Sequence, residues 1–356
     1  MRNFDLCFLG FGNVNRALVE LLERKSAELR DRYGISWRIT GVASRRIGWL
    51  AHPEGFQPAD LCGADLCGAG IPFDSLRSLR AGLGRETLPA AQNLGDLYSW
   101  LQAARPDVLF EATSLNVETG QPAIDHIRAA LEFGAHAITA NKGPIVHAYR
   151  ELRDLAAQRG KQFLFESTVM DGVPIFALFR DALPAIEVKG FKGILNSTTN
   201  VILTAMEEGL SFEESLQKAQ SLGIAETDAS YDIDGWDAAV KVAALVNVVM
   251  GVPMRPNEVE RDGIRSLTGE QVRSARRNGT PYKVLCRAQR VAAGARATVR
   301  LEQIPLTDPF ALVSGTSSII QFEIDIFPGL TITETDPGLH ATAYGMLADF
   351  IRAASS

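Results

Sequence analysis

The sequence predicts an α/β protein in two parts, an N-terminal Rossmann-like domain followed by an α+β domain. Three observations carry this expectation. At 356 residues the chain exceeds what one hydrophobic core comfortably organises, so two domains are expected. Strand-like and helical patterns alternate through residue 146 and then give way to strand and helix pairs of mixed type. A glycine turn, Gly10-Phe11-Gly12, sits between an apolar run and a helical pattern at the start of the chain. The expected division is 1–146 for the first domain, 147–335 for the second, and 336–356 for a last helix that packs back on the first.

Composition bounds the function classes. Hydrophobic content of 46% and charged content of 22% are ordinary for a globular protein. A net charge of −6 without any basic run argues against nucleic acid as the principal partner. No stretch of 18 uncharged apolar residues and no signal peptide is visible, so no membrane span and a cytoplasmic location are expected. The four cysteines are too few and scattered for a disulfide framework, and Cys62 and Cys67 lack the second pair or histidine cluster that zinc would need.

The run 4–9 reads as a buried strand, and Leu18, Leu21 and Leu22 recur as on one face of the helix after it. The first glycine permits a tight turn and the second lets a pyrophosphate approach a helix N-terminus. Gly10, Gly12, Asn13 and Val14 are therefore candidate contacts to a dinucleotide. Asn15 stands where that fingerprint has its third glycine. The strand at 38–43 ends in Ser44-Arg45-Arg46, not in the acidic residue that would bind a ribose 2′-hydroxyl. Arg45 and Arg46 suit a 2′-phosphate, which favours NADP(H) over NAD(H); the plainer reading is a solvated loop.

Residues 47–95 read as an irregular insertion with one helical candidate at 74–83, and Trp49 and His52 as packing or surface residues. The strand at 107–113 ends at Thr113 and Ser114, which face a bound cofactor if the sheet is doubly wound. A helix at 121–133 leads to a strand at 136–140, at whose carboxyl end Lys142 points toward the crevice or, on the plainer reading, into a surface turn. A helix at 147–159 and a strand at 162–166 follow, then Pro174 placed to open a helix. Further strands are expected at 186–194, across 283–303 and within 309–335, with caps within 195–200 for a helix through Met206 and a closing helix at 338–353.

The chemically densest stretch is 223–241, GIAETDASYDIDGWDAAVK. Ser211 and Glu214 read as a capping box for the helix before it, with Gly223 in the left-handed conformation that ends that helix. Asp234 reads as the cap of the helix after it. Glu226, Asp228 and Asp232 lie in the loop between, and Asp237 and Lys241, four apart, share a helix face. Alone, such a pair is most simply a surface ion pair, and the acidic spacing does not follow a calcium loop.

Four segments together resemble homoserine dehydrogenase over almost the whole chain: GFGNVNRAL at 10–18, TANKGPIV at 139–146, GILNSTTNVIL at 193–203 and AQSLGIAETDASYDIDGWDAAVK at 219–241. The length matches the short monofunctional form, without a kinase or a C-terminal regulatory domain. The resemblance implies NAD(P)-linked interconversion of L-homoserine and L-aspartate 4-semialdehyde by a homodimer formed through the second domain. By position, it implies Lys241 and Lys142 as catalytic lysines and Asp237 as the aspartate that works beside Lys241. It implies Glu226, Asp232, Asp237 and Thr198 as substrate contacts. Thr113, Ser114, Lys142, Gly223 and Gly338 are implied as cofactor contacts, and Glu166, Val169 and Asp171 as the site of a monovalent cation such as Na+.

Four features depart from the family pattern: Asn15, Ser197 beside the substrate position, Asp171, and the segment 334–338 (ETDPG), where relatives have a glycine-rich cofactor loop. They leave open a related NADP-dependent reductase of another small amino or hydroxy acid, or a non-catalytic NADP-binding homologue.

Overall fold

The apolar N-terminal run forms β1 (Arg2–Leu9), the middle strand of a seven-stranded sheet. A computed structural model describes residues 1–62 and 92–355, and its contacts divide into two compact units, Met1–Gly172 with Gly338–Ser356, and Val173–Pro337. The helical candidate at 74–83 and Cys67 lie outside the described residues.

In the first unit β1 leads through α1 (Asn13–Arg24) and α2 (Ser26–Tyr33) to β2 (Ile35–Ser44), which pairs parallel to β1. After β3 (Gly48–Phe56), the short α3 (Pro58–Cys62), β4 (Gln92–Leu94) and α4 (Leu97–Ala104), the chain returns on the other side of β1 as β5 (Val108–Glu111). Then come α5 (Ala123–Phe133), β6 (His136–Thr139), α6 (Gly143–Gln158) and β7 (Phe163–Leu164). The strand order β4-β3-β2-β1-β5-β6-β7 puts the reversal of winding between β1 and β5. In an open parallel sheet, ligands bind beyond the carboxyl ends of the strands at that point.

The alternation of side chains along β1 sorts two cores. Phe4, Leu6 and Phe8 face α1 and the C-terminal helix, while Cys7 and Leu9 face α4 and α5 through Trp100, Leu101, Ala129 and Ala130. Phe8 stacks on Phe110 at 5.0 Å, and Phe350 meets Phe4 and Phe110 edge-on. That packing places the last helix in this unit. The contact division after Gly172 lies later than the sequence-based boundary at 146, because β7 pairs with β6 and the 166–171 turn packs on the C-terminal helix. A second difference concerns 47–95: its start is not irregular but the strand β3, antiparallel to β2. Its glycine and proline content hides a strand that forms by pairing with a partner already in place.

The second unit holds α7 (Ile175–Ala177), β8 (Val188–Ile194), α8 (Ser197–Glu207), α9 (Phe212–Ser221), α10 (Ser230–Ile233) and α11 (Trp236–Val248). β9 (Glu260–Arg261), α12 (Gly269–Arg277), β10 (Tyr282–Val291), β11 (Gly294–Gln303), β12 (Ser318–Ile324) and β13 (Leu330–Glu334) complete it. The six-stranded sheet runs β13-β12-β8-β10-β11-β9, antiparallel except for the β11 and β9 pair. The α13 helix (Leu339–Ala354) closes the chain in the first unit. Among the described residues no helix is long and apolar enough to cross a membrane.

Candidate active site

In the first unit the strand ends form a cleft of about 500 Å³, lined by Leu9 to Gly12, Ala43 to Arg46, Trp49, Ala112 to Ser114, Pro122 and His126. Gly10 adopts φ +79°, and a Cβ there would lie 2.5 Å from the Ala112 carbonyl, so only glycine lets β1 turn this close to β5. Gly12 caps α1 without a side-chain hydrogen bond, and a Cβ on it would meet nothing nearer than 4.0 Å. An open, uncapped helix N-terminus beside a glycine fits an anionic pyrophosphate. Asn13 and Val14 are the first residues of α1, while Asn15 is fully buried and donates from Nδ2 to the carbonyls of Leu9 and Gly10. The residue in the third glycine's place therefore braces the turn with hydrogen bonds. Arg45 and Arg46 are exposed in the turn between β2 and β3. Trp49 and His126, given no chemical role from sequence, form part of the wall, with ring centroids 6.4 Å apart.

Lys142 is half-buried at the start of α6, where its carbonyl accepts from the N–H groups of Ile145 and Val146. Sequence placed this helix from 147; Pro144 in its first turn extends it back to Gly143.

In the second unit the apolar helix α11 carries Asp237 and Lys241 one turn apart, 3.1 Å from Oδ2 to Nζ. Their side chains are only 11% and 16% exposed, so this is not the surface pair that spacing alone suggests. Lys241 Nζ also donates to the Leu195 carbonyl at 2.6 Å. Next to it, Asn196 donates from Nδ2 to Asp232 at 2.6 Å and to Asp237 at 3.0 Å, while its Oδ1 accepts from the N–H and hydroxyl of Thr199 and so caps α8. Burial, and then the neighbouring Asp237, push the Asp232 carboxyl above the usual carboxylate range. Thr198 donates its hydroxyl to the Ile224 carbonyl, and Cys286 is buried nearby with its thiol pushed up to about 12 by that burial.

The cap of α11 is Gly235, at φ +79°, not Asp234, whose carboxylate instead takes both arms of Arg265 at 2.5 and 3.0 Å. A Cβ at Gly235 would approach the Asp262 carbonyl to 2.9 Å, so glycine is what lets the chain turn this close to that loop. Arg261 lies 3.4 Å over the Trp236 ring and holds the start of α11 beside Asp237.

The remaining site residues are dispersed. The capping box at Ser211 and Glu214 forms, and Gly223 follows α9 at φ +70°. Glu226 is exposed on the loop, anchored through its carbonyl by Gln220. Gly338 caps α13. Glu166 is buried, Val169 fully so, and Asp171, at φ +49°, accepts the Thr342 hydroxyl. Among the described residues no group of three His, Cys, Asp or Glu side chains is placed to hold a metal ion. Sequence missed Asn196 and the Leu195 carbonyl as site groups; an Asn before a Ser-Thr-Thr run signals a cap, and only tertiary packing turns its amide toward two carboxylates.

The shift at Asp232 has a testable sign. A carboxyl whose folded-state pKa is raised contributes stability in acid, and that contribution is lost as pH rises through the raised value. Asp232→Asn is therefore expected to be more stable than wild type in urea unfolding at neutral pH. The gain should shrink as pH falls into the ordinary carboxylate range; no gain at neutral pH would contradict the reading.

Comparison with known proteins places this geometry. Residues 174–351 match the homoserine dehydrogenase family model, and residues 10–166 match the homoserine dehydrogenase NAD-binding domain. The chain is 33% identical over 352 residues to the NAD(+)-dependent homoserine dehydrogenase of Pseudomonas canavaninivorans, covering 99% of this chain and 96% of that one. It is 31% identical over 349 residues to homoserine dehydrogenase of Methanocaldococcus jannaschii, covering 98% and 97%. A crystal structure of a homoserine dehydrogenase from Thiobacillus denitrificans superposes with a TM-score of 0.79 at 27% identity, over 99% of this chain and 74% of that one. A hyperthermophilic archaeal homoserine dehydrogenase in complex with NADPH gives 0.75 at 25% identity, over 99% and 98%. With both halves matched and relatives above 30% identity along nearly its full length, this chain belongs to the homoserine dehydrogenase family, as an NAD(P)-dependent oxidoreductase.

Proposed function

We propose that the chain interconverts L-homoserine and L-aspartate 4-semialdehyde, with Lys241 moving the proton. The observation that carries this is the Lys241 ammonium, fixed between the Leu195 carbonyl and Asp237 on a buried helix face. Bound NAD(P) supplies the hydride acceptor for the alcohol and the hydride donor for the aldehyde. In the reducing direction Lys241 gives its proton to the carbonyl oxygen; in the oxidising direction its neutral form takes the hydroxyl proton. Asp237 holds the ammonium in place, and Lys142 is the second lysine of the reaction in this reading. Asp232, Thr198 and the exposed carboxylate of Glu226 recognise the amino acid, the carboxylates attracting its ammonium group. Gly223 and Gly338 belong to the cofactor side of this reading.

The cofactor preference follows from the cleft. Arg45 and Arg46 stand at its wall with no acidic residue among its described lining residues, which supports NADP(H) over NAD(H). For the cation, this reading keeps Glu166, which is buried, and the main chain of Val169 as ligands of a monovalent ion such as Na+, whereas Asp171 is engaged by Thr342 and braces the turn. Activity in sodium, potassium and choline chloride at equal ionic strength should differ; equal rates would remove the cation. Assembly as a homodimer through the second unit is part of the same reading, and a solution mass of one chain would exclude it.

Nicotinamide absorbance with homoserine tests the whole. Lys241→Ala should lower turnover at least about a hundredfold with cofactor affinity nearly intact. Replacing Arg45 and Arg46 by Ala should lower kcat/KM for NADP about tenfold or more, the loss of a charged hydrogen bond, and leave NAD nearly unchanged. Wild-type turnover in the first, or equal losses with both cofactors in the second, would refute the respective assignment.

A further inference from the structure

The ends of β5 and β6 are joined by a ring of hydrogen bonds to which the reaction above assigns no part. Glu111, the last residue of β5, is fully buried, and a carboxylate there persists only if it is hydrogen-bonded. Its Oε1 accepts from both the N–H and the hydroxyl of Thr113, and its Oε2 accepts from the Thr139 hydroxyl at 2.6 Å. The Thr139 oxygen accepts in turn from the Asn141 N–H at 2.9 Å. Asn141 Nδ2 then donates to the Thr113 carbonyl at 3.0 Å and closes the ring.

Two consequences follow from the positions of these residues. Asn141 Oδ1 also accepts from the Gly143 N–H at 2.8 Å, so the main chain is tied on both sides of Lys142. Gly143 has no slack: a Cβ there would lie 2.8 Å from the Gly120 Cα. Thr113, in the wall of the cofactor cleft, spends both of its donors inward on Glu111. His126, which also lines the cleft, brings its Nδ1 to 3.9 Å from Glu111 Oε1.

We infer that Glu111 and Thr139 are positioning residues for the proton-transfer machinery. The ring they close holds the backbone of Lys142 and the cofactor-facing Thr113 as one rigid piece. Neither touches the reacting atoms. The inference rests on the reading of Lys142 as a lysine of the reaction.

Thr139→Val removes the hydroxyl and keeps the shape; Thr139→Ser restores the hydroxyl. The valine variant is expected to lose on the order of tenfold or more in kcat, as small misplacements of reacting groups do, with KM for the cofactor changed less than about threefold. The serine variant should recover most of the loss. In a Lys142→Met background, Thr139→Val should add little further loss, because both changes remove the same function. Glu111→Gln is the second route should the valine variant not fold. It keeps the acceptor for Thr113 but turns an amide NH2 toward Thr139, and the same split between kcat and KM is expected. Wild-type kcat in both folded ring variants overturns the inference, as does a full additional loss in the Lys142→Met background. Lys142→Met measured alone separates the two readings: if its turnover equals wild type, the role of Lys142 fails first and the positioning role falls with it.

Discussion

Charge taken out of water must be matched by partners, and in the second unit this constraint decides the arrangement of the candidate site. Two carboxylates and one ammonium meet at the junction of β8 and α8: Asp232 from α10, and Asp237 and Lys241 from α11, a helix whose other buried residues are apolar. Leu195 supplies a carbonyl to the ammonium, and Asn196 supplies an N–H to each carboxylate. The orientation of the Asn196 amide is not arbitrary: its oxygen is needed to cap α8, which leaves only its nitrogen for the acids. Removing one partner of the Asp237 and Lys241 pair leaves a buried charge unmatched, at a cost of about 3–5 kcal/mol, whereas the Asp232 carboxyl is itself disfavoured as a charge by burial and by Asp237.

The first unit solves a different problem. A parallel sheet leaves its strand ends open at the point where the winding reverses, and the close approach of Gly10 to Ala112 brings β1 and β5 together there. Asn15 shows that the third glycine of the fingerprint is one solution among others. Its buried amide adds a second donor to the Leu9 and Gly10 carbonyls, which also accept from the N–H groups of Ala112 and Gly12. Beneath the cleft, the Glu111 ring fixes the ends of β5 and β6 by hydrogen bonds to a fully buried acid. Rigid elements set beneath an open cleft allow a ligand to be held without reorganisation at the moment of reaction.

The departures from the family pattern have structural explanations inside their own unit. Ser197 donates to the Thr316 carbonyl and ties the start of α8 to the loop before β12. Glu334 accepts from Ser318, and Asp336, at φ +44°, accepts from the hydroxyls of Thr316 and Ser317. The two acids that replace a glycine-rich segment thus have hydroxyl partners within the α+β unit. Asp171 is likewise engaged by Thr342 of the last helix.

Much was determined by the sequence itself. The glycine turn, the capping box at Ser211 and the four-residue spacing of Asp237 and Lys241 are local facts, set by backbone conformation and helical period, and they carried the fold class and two of the three charges in the cluster. Tertiary structure decided what depends on partners distant in the chain. It made the Asp237 and Lys241 pair buried rather than solvated, and it made Asn196 a bridge between acids as well as a cap. It paired β3 with β2 where composition suggested a loop, and it moved the cap of α11 from Asp234 to Gly235, Asp234 being taken by an arginine 31 residues away. Each of these depends on the desolvation or hydrogen bonding of groups brought together by packing, which residue type and spacing alone do not specify.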